Sequence, residues 1–265
     1  MSRLQIGVML GAAGMFLAIY FGCDTKPPKQ ASIEKSRALT AESTDISSLL
    51  SEAKSKLDAP EANAVLALEK QLEGSDIDSV KVAVLKRLAG IWFENNRPDI
   101  SGYYAELIAE TEGTEEAWAI SGTTFTICVQ RAEEQKIKDF CTGRAVKALE
   151  NAISINPANI NHRVNLALCY TENPPQENPM KGVLMLRELN EKYPDDVLIL
   201  KNLARLAIKT GQFDKAKERL EKALESQPED GDVICLLAQT YTSLNETAKA
   251  EEFQRKCAEI RNPQN

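Results

Sequence analysis

Apolar residues recur three and four positions apart along most of the chain, and the pattern is clearest from Val197 to Pro228. This spacing places one apolar stripe on each of two successive helices. Gly211 lies between the stripes and permits a tight turn, and Pro228 ends the second helix because it lacks a backbone N–H. The stripes consist of Leu200, Leu203, Ala204 and Ala207, then Ala216, Leu220 and Ala223. The stretch therefore predicts two antiparallel helices whose apolar sides pack together.

Similar two-helix units recur from Val82 onward. Their apolar positions, their small residues in both helices and their closing prolines resemble the tetratricopeptide repeat. The resemblance implies an all-α fold, an α-α superhelix in which antiparallel helical hairpins stack into a solenoid. It also implies that the first helix of each repeat lines a concave groove, where short peptides or partner helices bind. The repeats are expected at about 82–114, 115–159, 160–196, 197–230 and 231–263.

Residues 75–265 thus form the predicted repeat region, and residues 44–74 predict two further helices before it. Pro60 suits the first turn of the second of these helices, and Gly74 ends it. No position-by-position match to the repeat exists here, so we interpret the pair as a degenerate hairpin that caps the stack. Within the second repeat, the connection from Val129 to Arg144 is longer than the family uses, which predicts an inserted loop.

An uncharged and largely apolar run extends from Leu4 to Gly22. As a helix it would reach about 28 Å, close to the thickness of a bilayer core. Three interpretations remain open for residues 1–23: a membrane helix, a cleaved signal peptide, or a lipoprotein signal that ends at Cys23. The first and third would anchor the chain, and an anchored protein is our expectation.

The lipid interpretation depends on the residues just before Cys23. Gly22 and Cys23 resemble the end of a bacterial lipobox, but Tyr20 and Phe21 stand where a leucine and a small residue are usual. The match is therefore partial. Cys23 is the candidate lipid attachment site, and the alternative places it at the end of a membrane helix.

Residues 24–43 are rich in Lys, Pro, Ser and Thr, and predict a flexible linker with a span of about 25 Å. The basic residues of this linker outnumber Arg3, which alone precedes the apolar run, and by the positive-inside rule this favours a cytoplasmic domain. An apolar run so near Met1 is instead typical of an export signal. We expect the repeats on the periplasmic side of a bacterial cell membrane, with the cytoplasmic face as the alternative.

Composition narrows the choice of partners. The chain carries 32 basic and 39 acidic residues, a net charge of -7, so a general electrostatic attraction to nucleic acid is not expected. Of its 265 residues, 43% are hydrophobic, which is enough for the core of a repeat protein. We expect other proteins and the membrane as partners, with self-association as a further option.

The resemblance also selects the side chains expected in the groove. Lys201, Arg205 and Lys209 recur at four-residue intervals, so they share one helix face. This basic stripe would bind a carboxylate or an acidic segment through charge-assisted hydrogen bonds. The family's carboxylate clamp is not matched, because Val164 and Leu168 occupy two of its positions, and a solvated face without a ligand is the alternative. The predicted groove set is Asn161, Asn165, Leu168, Lys201, Asn202, Arg205, Lys209 and Gln239.

Two cysteines of the second repeat are candidates for a disulfide. Cys128 and Cys141 flank the long connection, at positions that a hairpin brings near one another. In an oxidising compartment a disulfide between them would pin the connection. The alternative is that all five cysteines after Cys23 are small core residues in a reducing compartment.

The sequence offers little for catalysis or metal binding. His162 is the only histidine, is expected to be exposed near a helix start, and no CxxC motif accompanies it. No Gly-rich phosphate loop and no nucleophile elbow are present. Adjacent acids such as Glu115 and Glu116 point in different directions on a helix and are interpreted as solvation. We therefore expect neither an enzyme nor a bound cofactor or metal.

Together these patterns predict a membrane-tethered adaptor or scaffold that binds protein segments in its groove. A related alternative is a chaperone-like holder of unfolded clients during envelope protein maturation. Two alternatives belong to other classes: a structural envelope subunit that self-assembles, and a thiol-bearing redox protein.

Overall fold

The computed structural model describes residues 46–262, and in this range the chain forms twelve helices and no strand. The all-α prediction is thereby confirmed. The predicted anchor at residues 1–23, which includes Cys23, and the predicted linker at 24–43 lie outside the described residues. The helices are α1 (Ile46–Lys54), α2 (Ala59–Glu73), α3 (Asp78–Glu94), α4 (Pro98–Glu112), α5 (Glu115–Arg131), α6 (Gln135–Ile155), α7 (Ile160–Glu172), α8 (Lys181–Lys192), α9 (Val197–Lys209), α10 (Phe213–Ser226), α11 (Gly231–Ser243) and α12 (Thr247–Arg261).

Several helices begin at a polar residue that caps the first turn. Asp196 Oδ1 accepts a hydrogen bond of 3.0 Å from the backbone N–H of Ile199, and Asp230 Oδ1 accepts one of 3.0 Å from Val233. These bonds satisfy amide groups that have no partner within the helix. Helices α2, α5 and α7 are capped in the same way by Asp58, Thr114 and Asn159.

Residues with positive φ turn the chain between the two helices of three hairpins. They are Asn96 with φ 54°, Gly211 with φ 72° and Asn245 with φ 59°. Glycine and asparagine adopt this left-handed conformation at a lower steric cost than other residues. The turn predicted at Gly211 is present between α9 and α10.

Small residues allow the two helices of a hairpin to approach closely. Ala204 of α9 and Ala216 of α10 are both fully buried. At Gly122 of α5, an added Cβ atom would lie only 2.6 Å from Leu149 Cγ of α6, closer than side chains pack in proteins. The small residues of the repeat pattern therefore set the distance between paired helices.

The apolar core of the described residues runs along the stack as successive clusters. In one of them Val164 of α7, Leu186 of α8 and Ile199 of α9 are each fully buried. Each hairpin thus buries its apolar side partly against the next hairpin, as the solenoid prediction requires. Continuity of this core fixes the order in which the first helices lie side by side.

Helices α1 and α2 occupy the segment predicted as an N-terminal hairpin. Pro60 lies in the first turn of α2, and Gly74 follows its last residue. Lys54 Nζ of α1 lies 2.6 Å from Glu69 Oε2 of α2, and Val65 joins the core cluster of α3 and α4. The segment packs onto the first repeat, and its role as a cap stays a prediction.

The prediction of an inserted loop at residues 129–144 is wrong. Helix α5 continues to Arg131 and α6 begins at Gln135, so the extra residues lengthen the two helices. Cys128 of α5 and Cys141 of α6 are joined by a disulfide, with their Cα atoms 6.0 Å apart. The bridge therefore links the sides of two helices instead of pinning a loop.

Candidate functional site

Two residues of the predicted groove set are exposed and polar. Asn161 near the start of α7 and Gln239 of α11 both present their side chains to solvent. On α7, Asn165 donates a hydrogen bond of 3.1 Å from Nδ2 to Thr123 Oγ1 of α5, and Leu168 is half-buried against the core. The first helices α5 and α7 are thus linked directly across the predicted groove face.

The basic stripe of α9 is already paired with acidic side chains of neighbouring helices. Lys201 Nζ lies 2.9 Å from Asp230 Oδ2 and 3.2 Å from Asp232 Oδ2. Arg205 Nη2 lies 3.1 Å from the same Asp232 oxygen. The stripe is therefore not a free set of cations, a fact the four-residue spacing alone did not reveal.

The three cations of the stripe differ in how much of each side chain remains accessible. Lys209 Nζ pairs with Glu172 Oε2 of α7 at 3.3 Å, and its side chain is 65% exposed. The Arg205 side chain is 46% exposed, whereas that of Lys201 is only 13% exposed. Exposed pairs exchange partners at little free-energy cost. Arg205 and Lys209 are thus able to turn to a bound carboxylate, while Lys201 is structural.

Asn202 lies inside the protein and not on the groove surface where the repeat pattern placed it. It is 3% exposed, its Nδ2 donates a hydrogen bond of 2.8 Å to the backbone oxygen of Leu198, and its Oδ1 accepts one of 3.4 Å from Arg205 Nη1. A side chain that is 3% exposed and bonded at both ends of its carboxamide is not accessible to a ligand on the surface. Asn202 positions Arg205 instead.

Glu115 is the centre of a hydrogen-bond network at the junction of the second and third repeats. Its carboxylate accepts bonds of 2.9 Å from Asn156 Nδ2 and 2.9 Å from Asn159 Nδ2, and His162 Nε2 lies 2.7 Å from Oε1. The hydrogen bonds from Asn159, His162 and Asn156 lower the pKa of Glu115 to about 2. Glu115 is therefore a fixed anion, and its interpretation as simple solvation is wrong.

The prediction that His162 is exposed is also wrong. The residue is 4% exposed, because Glu115 draws the imidazole inward at the start of α7. An ionised carboxylate has no hydrogen to donate, so His162 Nε2 is the donor in this contact. The spacing of Asn156, Asn159 and His162, three residues apart, is the sequence signal for such a cluster.

A second buried acid connects the second helices of the first two repeats. Glu106 of α4 is 3% exposed and contacts Arg144 of α6, and its Oε1 lies 2.8 Å from Lys147 Nζ. Hydrogen bonds from Lys147 to Glu106 and Glu110 raise the pKa of that lysine. Because this cluster lies on second helices and is fully paired, we assign it to stability and not to ligand binding.

Four of the five described cysteines form disulfides. Besides Cys128 and Cys141, Cys235 of α11 is joined to Cys257 of α12, with their Cα atoms 5.0 Å apart. The sequence did not predict this bridge. Cys169 is a buried free thiol 3.1 Å from Thr126 Oγ1, and burial raises its pKa to about 11.

Residues of the last hairpin line an open cavity of about 600 Å³. Polar side chains form much of its lining, together with both cysteines of the second disulfide. The predicted groove residue Gln239 lies in this wall. The lining includes Cys235, Gln239, Thr242, Gln254, Cys257 and Arg261.

Large apolar side chains are exposed on two of the first helices. Phe93 of α3 is 42% exposed, and Ile120 of α5 is 53% exposed. Polar and charged residues dominate the corresponding surfaces of α9 and α11. The first-helix surface therefore changes along the stack from partly apolar to charged, and neither apolar residue belonged to the predicted groove set.

No helix between residues 46 and 262 is both long enough and apolar enough to cross a membrane. In the same range, no group of three or more His, Cys, Asp and Glu side chains is arranged to hold a metal ion.

Comparisons with known proteins support the repeat resemblance. A family model described as Tetratricopeptide repeat matches residues 183–233 and 211–254. The chain is similar to the crystal structure of a thermophilic TPR protein in Thermus thermophilus, with 17% identity over 69% of this chain and 98% of that one, and a TM-score of 0.48. It is also similar to human IFIT1, solved as a dimer with m7Gppp-AAAA, with 16% identity over 74% of this chain and 55% of that one, and a TM-score of 0.35. No curated protein sequence matches the chain.

Proposed function

We propose, on the premise that residues 183–254 match the tetratricopeptide repeat, that this chain is a membrane-tethered adaptor which binds other proteins along its first helices. The observation that supports this proposal most strongly is the stacking of hairpins into a continuous core that leaves one polar face of α7, α9 and α11 unused by packing. Stacked repeats of this kind present extended concave surfaces for binding.

The ligand that suits this face is a segment with at least one carboxylate. The Arg205 and Lys209 side chains remain 46% and 65% exposed in spite of their ion pairs, and Asn161 lies exposed on the neighbouring helix. A carboxylate between them would accept charge-assisted hydrogen bonds, while Lys201 stays with Asp230. The ligand must compete with Asp232 and Glu172, so we expect reversible binding of moderate affinity.

The tether is the apolar run from Leu4 to Gly22, either as a membrane helix or as a signal that leaves a lipid on Cys23. The proposed compartment is the periplasmic side of the membrane. Its support is the pair of disulfides in residues 46–262, because disulfides persist in oxidising compartments and are rare in the cytosol. The linker at residues 24–43 would hold the repeats away from the bilayer.

A second candidate function is the chaperone-like holding of unfolded clients. The exposed Phe93 and Ile120 favour it, because unfolded chains expose apolar side chains that seek such surfaces. On this alternative, binding would depend on α3 and α5 and would persist at high salt. On the adaptor proposal it depends on α7, α9 and α11 and weakens with salt.

The test is an in-cell cross-linking pull-down with the intact chain and two charge-reversal variants. The groove variant carries Arg205→Glu and Lys209→Glu, and the matched control carries Arg187→Glu and Lys192→Glu on the second helix α8, where both residues are exposed. We expect the groove variant to lose a specific partner that wild type and control retain. Retention of the same partners by both variants would contradict binding at this face. Loss of the partners in a third variant, Phe93→Ser, would support the client-holding alternative.

A further inference from the structure

The two disulfides of the described residues differ in their access to solvent. Cys128 and Cys141 are 2% and 0% exposed and lie in a core cluster with Phe125 and Leu149. In the other bridge Cys257 is 8% exposed and Cys235 is half-buried. A thiolate must reach a sulfur atom to attack a disulfide, so the second bridge is the more accessible to exchange.

The second bridge also faces an open space. Cys235 and Cys257 both line the cavity of about 600 Å³ in the last hairpin. Gln239, Thr242 and Gln254 line it as well, and their side chains offer both hydrogen-bond donors and acceptors. Small-molecule sites commonly measure about 300–1,000 Å³, so a molecule of tripeptide size fits this volume.

We propose that this cavity is a site of thiol–disulfide exchange at the Cys235–Cys257 bridge, and that its substrate is a small thiol of the size of glutathione. The attacking thiolate forms a bond to Cys235 Sγ, and the bond between the two cysteines breaks. Its electron pair leaves on Cys257 Sγ, which then takes up a proton. A second substrate thiolate attacks the substrate sulfur of the mixed disulfide and releases Cys235 as a thiol. The bridge is thus reduced, and two substrate thiols are oxidised to one disulfide.

Arg261 supplies a positive charge to this site. It lies one helical turn after Cys257 on α12, on the same face, and lines the same cavity. A guanidinium group stays protonated in proteins, so it attracts the anionic attacking thiolate and stabilises the charge that develops on Cys257 Sγ. The bridge in the second repeat is almost fully buried, with Cys128 2% and Cys141 0% exposed.

Exchange at this site does not require the hairpin to unfold. Tyr241 of α11 packs against Phe253 of α12 with ring centroids 5.3 Å apart, and Leu237 and Ala250 join them in a core cluster that also includes Cys257. Reduction therefore leaves α12 in place and exposes two thiols in the cavity wall. Disulfide exchange in the last hairpin does not depend on ligand binding at α7 and α9, so each is tested separately.

The test uses the intact chain in detergent, first equilibrated with oxidised glutathione and then exposed to graded reduced glutathione. Rapid alkylation followed by peptide mass spectrometry reports each cysteine separately. We expect Cys235 and Cys257 to become alkylated at least about tenfold faster than Cys128 and Cys141, with glutathione found on Cys235. Equal rates, faster reduction of the 128–141 bridge, or failure of the 235–257 bridge to form would overturn the proposal. Reduction by thioredoxin but not by glutathione would overturn the assignment of a small thiol.

A pair of charge variants separates a built site from simple exposure. Arg261→Gln should slow exchange by about two- to fivefold, because it removes the charge beside the reacting sulfurs. Lys256→Gln is the matched control, because this lysine of α12 is paired with Glu252 at 2.6 Å and lies outside the cavity lining. If both variants react at the wild-type rate, Arg261 has no part in the site.

Discussion

His162 Nε2 of the third repeat lies 2.7 Å from Glu115 Oε1 at the start of the second repeat. The contact joins residues 47 positions apart in the sequence and buries the only histidine of the chain. It shows how one repeat is fixed on the next by a polar bond as well as by apolar packing. Stability of the stack should therefore respond to pH through this acid.

The pKa of Glu115 is lowered to about 2 in the folded protein from an ordinary value of 4.5. A carboxyl group with a depressed folded-state pKa stabilises the fold above its unfolded pKa, and the contribution is lost as the pH falls through the folded pKa. We expect Glu115→Gln to lower the free energy of unfolding by a constant amount above about pH 5, and by a shrinking amount between about pH 4.5 and 2. Chemical denaturation at several pH values measures this difference. The exposed neighbour variant Glu116→Gln is the control, and an identical pH profile for both variants would contradict the network.

The buried Glu106 should couple strongly to Arg144. A double-mutant cycle with Glu106→Gln and Arg144→Met is expected to give a coupling free energy of about 1–3 kcal/mol, because the acid is 3% exposed and loses one of its two cationic partners. The matched comparison is the exposed pair formed by Glu52 of α1 and Lys56, which follows the end of that helix. Its expected coupling free energy is about 0.2–0.5 kcal/mol. Equal couplings in urea denaturation would show that the Glu106 cluster adds no more than a surface pair.

Two glycines in first helices should respond oppositely to alanine. At Gly122 an added Cβ would lie 2.6 Å from Leu149 Cγ and 3.2 Å from Leu149 N, so Gly122→Ala should destabilise the fold by about 1–3 kcal/mol. At Gly90 of α3 no atom lies within 4 Å of the added Cβ. Gly90→Ala should therefore stabilise the fold by about 0.5–1 kcal/mol through helix propensity. Thermal unfolding of both variants tests the pair, and an unchanged or raised melting temperature for Gly122→Ala would refute the packing described for Gly122.

Cys169 should be chemically silent in the native protein. Burial raises its pKa to about 11, so the thiolate form is scarce at neutral pH, and the side chain has no exposed surface. We expect no modification by iodoacetamide at pH 8 without denaturant, and complete modification after unfolding. Fast native modification would mean that α7 opens far more often than its packing between α5 and α8 allows.

The sequence predicted the local features of the fold well, because each depends on neighbouring residues. The apolar stripes of Val197 to Pro228 and the turn at Gly211 follow from helical spacing and backbone sterics within one hairpin. The Cys128–Cys141 pair could be proposed for the same reason, since one hairpin brings the two residues together. The disulfide between Cys235 and Cys257 also joins the two helices of one hairpin, but it was not predicted because no long connection lies between these two cysteines.

Features that depend on how repeats stack could not be predicted from spacing. The neutralisation of Lys201 by Asp230 and the burial of His162 by Glu115 join residues 29 and 47 positions apart. The relative rotation of successive hairpins decides these contacts, and no single helix encodes it. The burial of Asn202 has the same origin, because the tilt of α9 in the stack, and not its own sequence, sets which side of the helix faces the core.

The central claim is that partners bind along the first helices of the stacked repeats. Its most direct measurement is in-cell photo-cross-linking with a photoreactive amino acid placed one position at a time in the intact chain. The groove positions are Asn161 and Gln239, and the control positions are Leu184 and Glu188 on the second helix α8, all of which are exposed. We expect one shared cross-linked partner from both groove positions and none from α8. Cross-links from Leu184 and Glu188 without any from Asn161 and Gln239 would place the binding surface on the opposite face and contradict the claim.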